Sequence, residues 1–558
     1  MRVTSRPLTL LVAALLVVPP GMFAQAPANA PAAPRAATGT SGMVSAAHPL
    51  ATEAGLEILR AGGNAFDAAV AIAATLGVVE PMMSGIGGYG TILTYDAAKK
   101  QPRFLNCSGR IPRGLNPDLF RPPTPNFKEN RVGALAISTP GNVNCWAAMS
   151  RTYGRLEWKQ LFAPAIRAAE GHTLDLNVAG AIHRAFDEFS PYAQGVFGRD
   201  GRPLPAGEKL VQTDLAGTLR RIAAEGAGVV HGGDVGKAIA DEVKARGGAL
   251  ALDDLRDTEA EWWEPVRIRY RGFEVMTASP PATAFPSLVR LGLMSRFDAR
   301  KLGHNSADYL HTFAEVTKHA FWTRLRYAGD PDVTPPPLEM LLSEPYWTEQ
   351  AAQIDPQRAR PFVPPGVQPV EESHTTHFVV ADRWGNVVTA TQTLGNLFGS
   401  RVLVPGAGVW LNNSLAYSTF EPKGNAMDAF PGRHKLSGDC PTFIFRDGKL
   451  WAALGTPGGH TIGQTVPQMV MNLVDFEMDI QQAIAAPRIS FAEPDRLLVE
   501  RAIPEAVHKA LSARGHNVTL TGGIGNAHGL TIDYDSNGRP ARFAGGADPR
   551  GSGLARGY

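Results

Sequence analysis

The stretch between Thr375 and Thr393 constrains the fold of this chain most. Residues 377–380 and 387–393 are two β-branched, apolar runs separated by Arg383-Trp384-Gly385. A three-residue hairpin loop favours a left-handed third residue, and Gly385 supplies one. That loop sets Asp382 against Asn386 and, seven steps along, Thr375 against Thr393. A slip of one residue would send every side chain to the other face, so the register is a specific expectation.

Two threonines facing each other at the start of a strand carry a chemical implication as well as a structural one. Paired Thr residues are good strand formers. A Thr hydroxyl is also a usable nucleophile once a base stands beside it. If the chain is cut between His374 and Thr375, Thr375 gains an α-amine that titrates near pH ~8 and can take the hydroxyl proton. Thr393 then orients Thr375. Further on, Gly455-Thr456-Pro457-Gly458-Gly459-His460 lies between a strand-like run (450–454) and a helical one (465–474). Backbone N–H groups of such a turn, with the helix N-terminus behind them, suit an oxyanion hole made by Gly458 and Gly459.

The rest of the chain alternates helical and strand-like blocks. Residues 43–47 read as a strand and 51–61 as a helix. Asn64 caps a second helix over 65–79, and 91–95 is a strand. The loop Ser84-Gly85-Ile86-Gly87-Gly88-Tyr89-Gly90 has the glycine spacing of a dinucleotide site. It follows a helix and precedes a strand, the reverse of what that site needs, so no nucleotide is expected there. Residues 141–330 read as mainly helical, for example 158–169 and 235–245. The proline-rich 330–368 reads as exposed and extended. Strand-like runs return at 402–405, 408–412 and 442–445. Residues 417–434 read as a cover over the site. Helical blocks flanking a strand-rich middle predict an α+β sandwich.

Composition narrows the function classes. A net charge of +2 over 558 residues argues against nucleic acid and anionic membrane as partners. Cys107, Cys145 and Cys440 are too few and scattered for a disulfide framework or a zinc site. They read as small buried residues, with a single bridge possible in an oxidising compartment. Arg2 and Arg6 precede the apolar residues 8–18, and Ala24 and Ala26 follow. Residues 1–26 therefore read as a signal peptide and 27–40 as a disordered Ala/Pro-rich leader. A secreted or periplasmic protein without membrane insertion is expected. His374 and His377 alternate across the strand, so they do not converge on a metal, and no metal or cofactor is expected.

Taken together, these stretches resemble the γ-glutamyltranspeptidase family over nearly the whole mature chain. The resemblance is carried, in order, by Gly62-Gly63-Asn64-Ala65-Phe66-Asp67-Ala68-Ala69-Val70, Thr139-Pro140-Gly141, Ala328-Gly329-Asp330-Pro331, Thr375-Thr376-His377, Leu411-Asn412-Asn413, Thr456-Pro457-Gly458-Gly459 and Ala547-Asp548-Pro549-Arg550. It implies the four-layer αββα sandwich of the N-terminal-nucleophile hydrolases. It implies a proenzyme cleaved between His374 and Thr375 into a large subunit (41–374) and a small catalytic one (375–558). Thr375 would be the nucleophile, Thr393 its partner, and Gly458 and Gly459 the oxyanion donors. The reaction implied is acyl transfer from a γ-glutamyl or related amide to water or an amine, with a glutathione hydrolase as the model.

The departures fall on the substrate side. Ser108 stands where the family's carboxylate-holding Arg is expected, and Tyr417 where an amine-holding acid is expected. The paired serines become Ser437-Gly438, and an Asn becomes Gly395 followed by Asn396. Arg110, Ser414, Asn396, Tyr417 and Ser437 are the candidate substrate contacts. Arg110 is placed to hold an acidic acyl group from a shifted position. The Ser-Gly-Arg stretch and Ser84-Gly85-Ile86-Gly87-Gly88 are also similar to the cephalosporin-acylase and oxamate-amidohydrolase branches. The alternatives are therefore an amidohydrolase for another acyl group and an uncut relative acting as a binding protein.

Overall fold

A computed structural model describes residues 35–121, 130–362, 374–492 and 495–558. The expected hairpin lies at its centre. His374–Asp382 pairs with Val387–Gly395, Asp382 N–H donates to the Asn386 carbonyl at 3.1 Å, and Thr375 sits opposite Thr393. Gly385 takes φ 86°, the left-handed conformation the loop requires.

This hairpin is the middle of a seven-stranded antiparallel sheet. Its order is Leu554–Gly557, Gly42–Ala46, His374–Asp382, Val387–Gly395, Tyr89–Asp96, Gln101–Asn106 and Glu261–Trp263. A second antiparallel sheet runs Ala37–Gly39, Pro540–Ala547, His528–Tyr534, Lys449–Gly455, Thr442–Arg446, Phe273–Thr277 and Val266–Tyr270. The sheets face each other closely. The Ser45 hydroxyl donates to the Gly546 carbonyl at 2.7 Å, and Gly455 presses on the His377 ring with no room for a Cβ. Helices Pro49–Arg60 and Ala65–Val79 cover the first sheet, and Phe285–Met294, Ile462–Val474 and Ile480–Ala485 cover the second. The result is the αββα sandwich. Because the hairpin has a sheet on one face and helices on the other, Val387–Gly395 is buried at every position.

Local sequence explains the helix that feeds the site. The Asn64 side chain accepts from Phe66 N and Asp67 N, and Asp67 accepts from Asn64 N, a reciprocal cap that fixes the start of Ala65–Val79. Asp382 Oδ2 also accepts from Ala65 N at 2.9 Å, tying the cap to the hairpin turn. The helix ends at Glu80, which is thereby carried under the strand bearing Thr376.

Several expectations change. Of the leader expected over 27–40, Ala37–Gly39 forms a strand against Pro540–Ala547, and residues 27–34 lie outside the described residues. The signal peptide lies outside the described residues. The middle of the chain is not only helical: Glu261–Trp263 is an edge strand of the first sheet, and the hairpin of Val266–Tyr270 and Phe273–Thr277 supplies the edge of the second and the strand beside it. The proline-rich stretch packs well up to residue 362. It forms Leu338–Leu341 and Glu344–Ala351, whose Trp347 is buried against Gly292. Phe362 joins a cluster with Phe321 and Phe491. Apolar anchors at wide spacing outweigh the prolines, which only forbid regular helix locally. Cys107 and Cys145 are bridged, with Cα atoms 5.7 Å apart, while Cys440 stays free and buried. Strand Gln101–Asn106 and helix Asn142–Tyr153 meet only through the tertiary fold, so spacing could not reveal the pair.

Among the described residues no helix is long and apolar enough to cross a membrane.

Candidate active site

Thr375 and Thr393 are both buried and share a hydrogen bond. The Thr375 hydroxyl donates to Thr393 Oγ1 at 3.1 Å, and the Thr393 hydroxyl donates to the His374 carbonyl oxygen at 2.8 Å. Gly395 N–H donates to Thr393 Oγ1 at 2.7 Å, which fixes that hydroxyl's orientation. A register irregularity between His374 and Thr375 turns the carbonyl toward Thr393. The hydroxyl of one threonine, the hydroxyl of the other and the peptide bond between His374 and Thr375 thus form one relay.

Side chains on this face of the sheet come in rows. Thr375, Thr393 and Tyr89 are successive cross-strand partners, and His377, Thr391 and Thr91 form the next row. Burial raises the pKa of the Tyr89 phenol well above an ordinary phenol's. The buried His377 ring is held by Thr391 Oγ1 at 2.8 Å and Thr389 Oγ1 at 3.1 Å. Burial holds its pKa well below the usual histidine value, so the ring is neutral. With both nitrogens engaged by hydroxyls, His377 is a spacer between the sheets.

The glycine turn lies at the Thr375 end of the sandwich. Gly455 ends its strand on the His377 ring, one row in from Thr375, and the chain continues outward through Thr456 to Gly459. Gly458 and Gly459 take φ 132° and 56°, which side-chain-bearing residues rarely adopt. The Gly458 carbonyl accepts from Thr461 N at 3.0 Å and from the Thr461 hydroxyl at 2.8 Å. In a trans peptide the next N–H points the opposite way, so the Gly459 N–H is directed away from the helix that begins at Ile462.

The candidate substrate contacts separate into two groups. Tyr417 and Ser437 lie beside the rows just described. Tyr417 shares a hydrogen bond with Thr283 Oγ1 at 2.6 Å, and Ser437 Oγ shares one with Thr91 Oγ1 at 3.1 Å. Ser414 is buried against the Ser138 hydroxyl, and Asn396 donates its N–H to Asn413 Oδ1 at 2.8 Å. Asn413 also packs so tightly on Gly395 that no Cβ fits, which accounts for the glycine there. Arg110 is engaged elsewhere. It pairs with Glu261 at 2.8 Å and lies 3.2 Å from His434, whose other nitrogen is 2.9 Å from Asp330. Glu261 and Asp330 hold His434 charged, with its pKa raised to about 9 although burial opposes the charge. This network pins the end of the 417–434 segment, and Arg121 pins its middle through Asp428 at 2.8 Å. The expected cover is therefore fastened at two points. Asp330, Asp332 and His434 also form one of two clusters of possible metal ligands among the described residues; the other is His311, Glu315 and His516.

Sequence reading missed four residues that the fold brings in: Tyr89, Lys435, Asp439 and Glu80. The Thr376 hydroxyl donates to Glu80 Oε2 at 2.7 Å directly behind the nucleophile's neighbour. Burial raises Glu80 to about 7, with the Thr376 hydrogen bond opposing. A carboxyl whose folded pKa exceeds its unfolded one adds stability below the unfolded value, about 4.5, and that stability is lost as pH rises toward 7. Glu80→Gln removes the titration. Its stability relative to wild type is expected to rise by roughly 3 kcal/mol between pH 4.5 and 8, most of it below pH 7. Denaturant unfolding of both proteins at the two pH values checks this, and an unchanged difference would show that Glu80 is not strained by burial.

The family model described as gamma-glutamyltranspeptidase matches residues 51–558. This chain belongs to the γ-glutamyltranspeptidase family. It is 34% identical over 543 residues to a glutathione hydrolase proenzyme of Bacillus subtilis (strain 168), covering 93% of this chain and 92% of that protein. It is 35% identical over 534 residues to the acylase ACY 1 proenzyme of Pseudomonas sp. (strain SE83), covering 91% and 95%. Among solved structures, a cephalosporin acylase from Bacillus halodurans superposes with a TM-score of 0.86 at 29% identity, covering 96% of this chain and 99% of that one. The family thus spans both glutathione hydrolases and acylases at nearly equal distance from this chain.

Proposed function

We propose that this protein is made as one chain, cuts itself between His374 and Thr375, and then uses Thr375 to transfer an acyl group from an amide to water or an amine. The observation that carries this reading is the relay from the Thr375 hydroxyl through Thr393 to the His374 carbonyl. In the precursor, Thr375 Oγ1 attacks the His374 carbonyl carbon, and the C–N bond breaks as the proton moves to nitrogen. Water then hydrolyses the resulting ester. The product has a large subunit ending at His374, a small one beginning at Thr375, and a free α-amine that serves as base. A substrate amide meets the same hydroxyl, its oxyanion faces the N–H groups of Gly458 and Gly459, and the amine leaves from an acyl-enzyme.

The Cys107–Cys145 bridge supports export to an oxidising compartment, secreted or periplasmic, with residues 1–26 as the signal peptide. Among the relatives are glutathione hydrolases, which supports γ-glutamyl amides as substrates. The acylase relatives, with Ser108 and Tyr417 at the head-group positions, support a second reading in which another acyl amide is cleaved. Quenching the protein with a chromogenic γ-glutamyl anilide or glutaryl anilide, followed by mass analysis of the small subunit, tests the shared chemistry. The expected result is an acyl ester on the peptide that starts at Thr375. Turnover with the acyl group on another residue would overturn the assignment.

A further inference from the structure

Lys435 is 1% exposed, and its Nζ makes no hydrogen bond. It lies 3.4 Å from the centre of the Tyr89 ring and 5.6 Å from that of Tyr417. Tyr89 is the cross-strand neighbour of Thr393, which hydrogen-bonds Thr375. The ammonium therefore stands at the end of the row that begins at the nucleophile. The Arg324 guanidinium is also near Tyr417, 5.2 Å from the ring centre, and its Nε and Nη1 make no hydrogen bond either. Two buried basic side chains thus lie near Tyr417, the tyrosine at the position where the family resemblance implies an acidic head-group residue.

The nearby acids do not satisfy Lys435. Glu261 and Asp330 are committed to His434 and Arg110. The main chain is clamped there, with His434 N–H donating to Asp330 Oδ2 at 2.7 Å and Lys435 N–H to the Gly109 carbonyl at 3.2 Å. His434 faces that network while Lys435 turns the other way, toward Tyr89. Asp439 is the carboxylate that acts on Lys435 through space, and one of its oxygens accepts from Thr91 Oγ1 at 3.2 Å. Burial pushes Lys435 well down and Asp439 up to about 6. An unpaired buried ammonium is costly unless something bound in the site offsets it.

We propose that Lys435 is a specificity-determining residue that binds a carboxylate at the far end of the substrate's acyl group. This rests on Thr375 being the nucleophile, as argued above. Two strand spacings, on the order of 10 Å, separate the backbones of Thr375 and Tyr89, and the Tyr89 ring carries Lys435 Nζ on that row. A five-carbon diacid chain spans about 5 Å. A contact of about 3 Å at each end, attack on the carbonyl and a charged hydrogen bond on the carboxylate, fills the rest. The acyl class that fits is a four- or five-carbon dicarboxylic half-amide. A glutaryl group and a γ-glutamyl group share that carboxylate and differ in the α-ammonium.

The test compares kcat/KM for glutaryl, γ-glutamyl and butyryl 4-nitroanilides in wild type, Lys435→Met and Lys435→Arg. Wild type is expected to favour at least one carboxylate-bearing acyl group over butyryl. In Lys435→Met that preference should fall by about 30- to 100-fold, chiefly through KM, and Lys435→Arg should restore part of it. If glutaryl carries the effect, the carboxylate alone is read; if only γ-glutamyl does, the ammonium is read with it. Wild type preferring butyryl to both, or Lys435→Met leaving the preference unchanged, overturns the proposal. Two fragments on a denaturing gel and an acyl ester on Thr375 in Lys435→Met show that the protein folded and that the nucleophile assignment stands. Loss of the ester in wild type would instead sink the nucleophile reading itself.

Discussion

Thr375→Ala is expected to stay a single full-length chain on a denaturing gel, whereas wild type runs as two fragments, the smaller beginning Thr375-Thr376-His377. It is also expected to lose at least about 10⁴-fold in amide turnover. The two losses have one origin. On the proposed mechanism the Thr375 hydroxyl attacks the His374 carbonyl, and that attack creates the α-amine that then serves as base. Alanine leaves the backbone pairing of the hairpin in place, so the variant should still unfold cooperatively, which separates lost processing from failure to fold. Thr375→Ser keeps the hydroxyl and should be cut, more slowly because its rotamer is freer. A wild-type chain that remains in one piece, or an alanine variant that is cut normally, would refute the role given to this residue.

The second large effect is expected at Thr393. Its hydroxyl accepts from Thr375, accepts from Gly395 N–H and donates to the His374 carbonyl. Thr393→Val keeps the shape and strand preference but removes all three contacts. Self-cleavage and kcat should each slow by about 10²- to 10³-fold, the scale for losing one preorganised donor at a developing oxyanion. Thr393→Ser should recover most of both rates. A purely structural role would show as lowered stability with an ordinary cleavage rate. Time courses of processing on gels, read beside unfolding curves, separate the two cases, and normal processing in Thr393→Val would remove Thr393 from the mechanism.

The relative legibility of these groups in the sequence follows from how each is positioned. The Thr375–Thr393 pair needs only a loop length and a glycine with φ 86°, both within a short stretch, so its register could be counted residue by residue. The glycine turn before Ile462–Val474 is equally local. The hairpin of Val266–Tyr270 and Phe273–Thr277 was not legible because the pattern of each strand is short, and its place in the second sheet is set by Thr442–Arg446, far along the chain. The packed prolines of 330–362 misled for a related reason. Proline restricts the backbone, but it does not say whether a distant cavity will receive a Trp347 or a Phe362.

The sequence by itself determined the hairpin, its facing threonines, the glycine turn, the Asn64 cap and, through their order, the family. Each of these depends on backbone preferences acting over a few residues. Only the tertiary structure decided that Cys107 meets Cys145, that Arg110 is held by Glu261, that Glu80 lies under Thr376, and that Lys435 faces Tyr89. Those facts depend on burial and on which charges are left unmatched once the sheets close. Charge alone is visible in a sequence, but its cost is set by the groups that distant parts of the chain bring beside it.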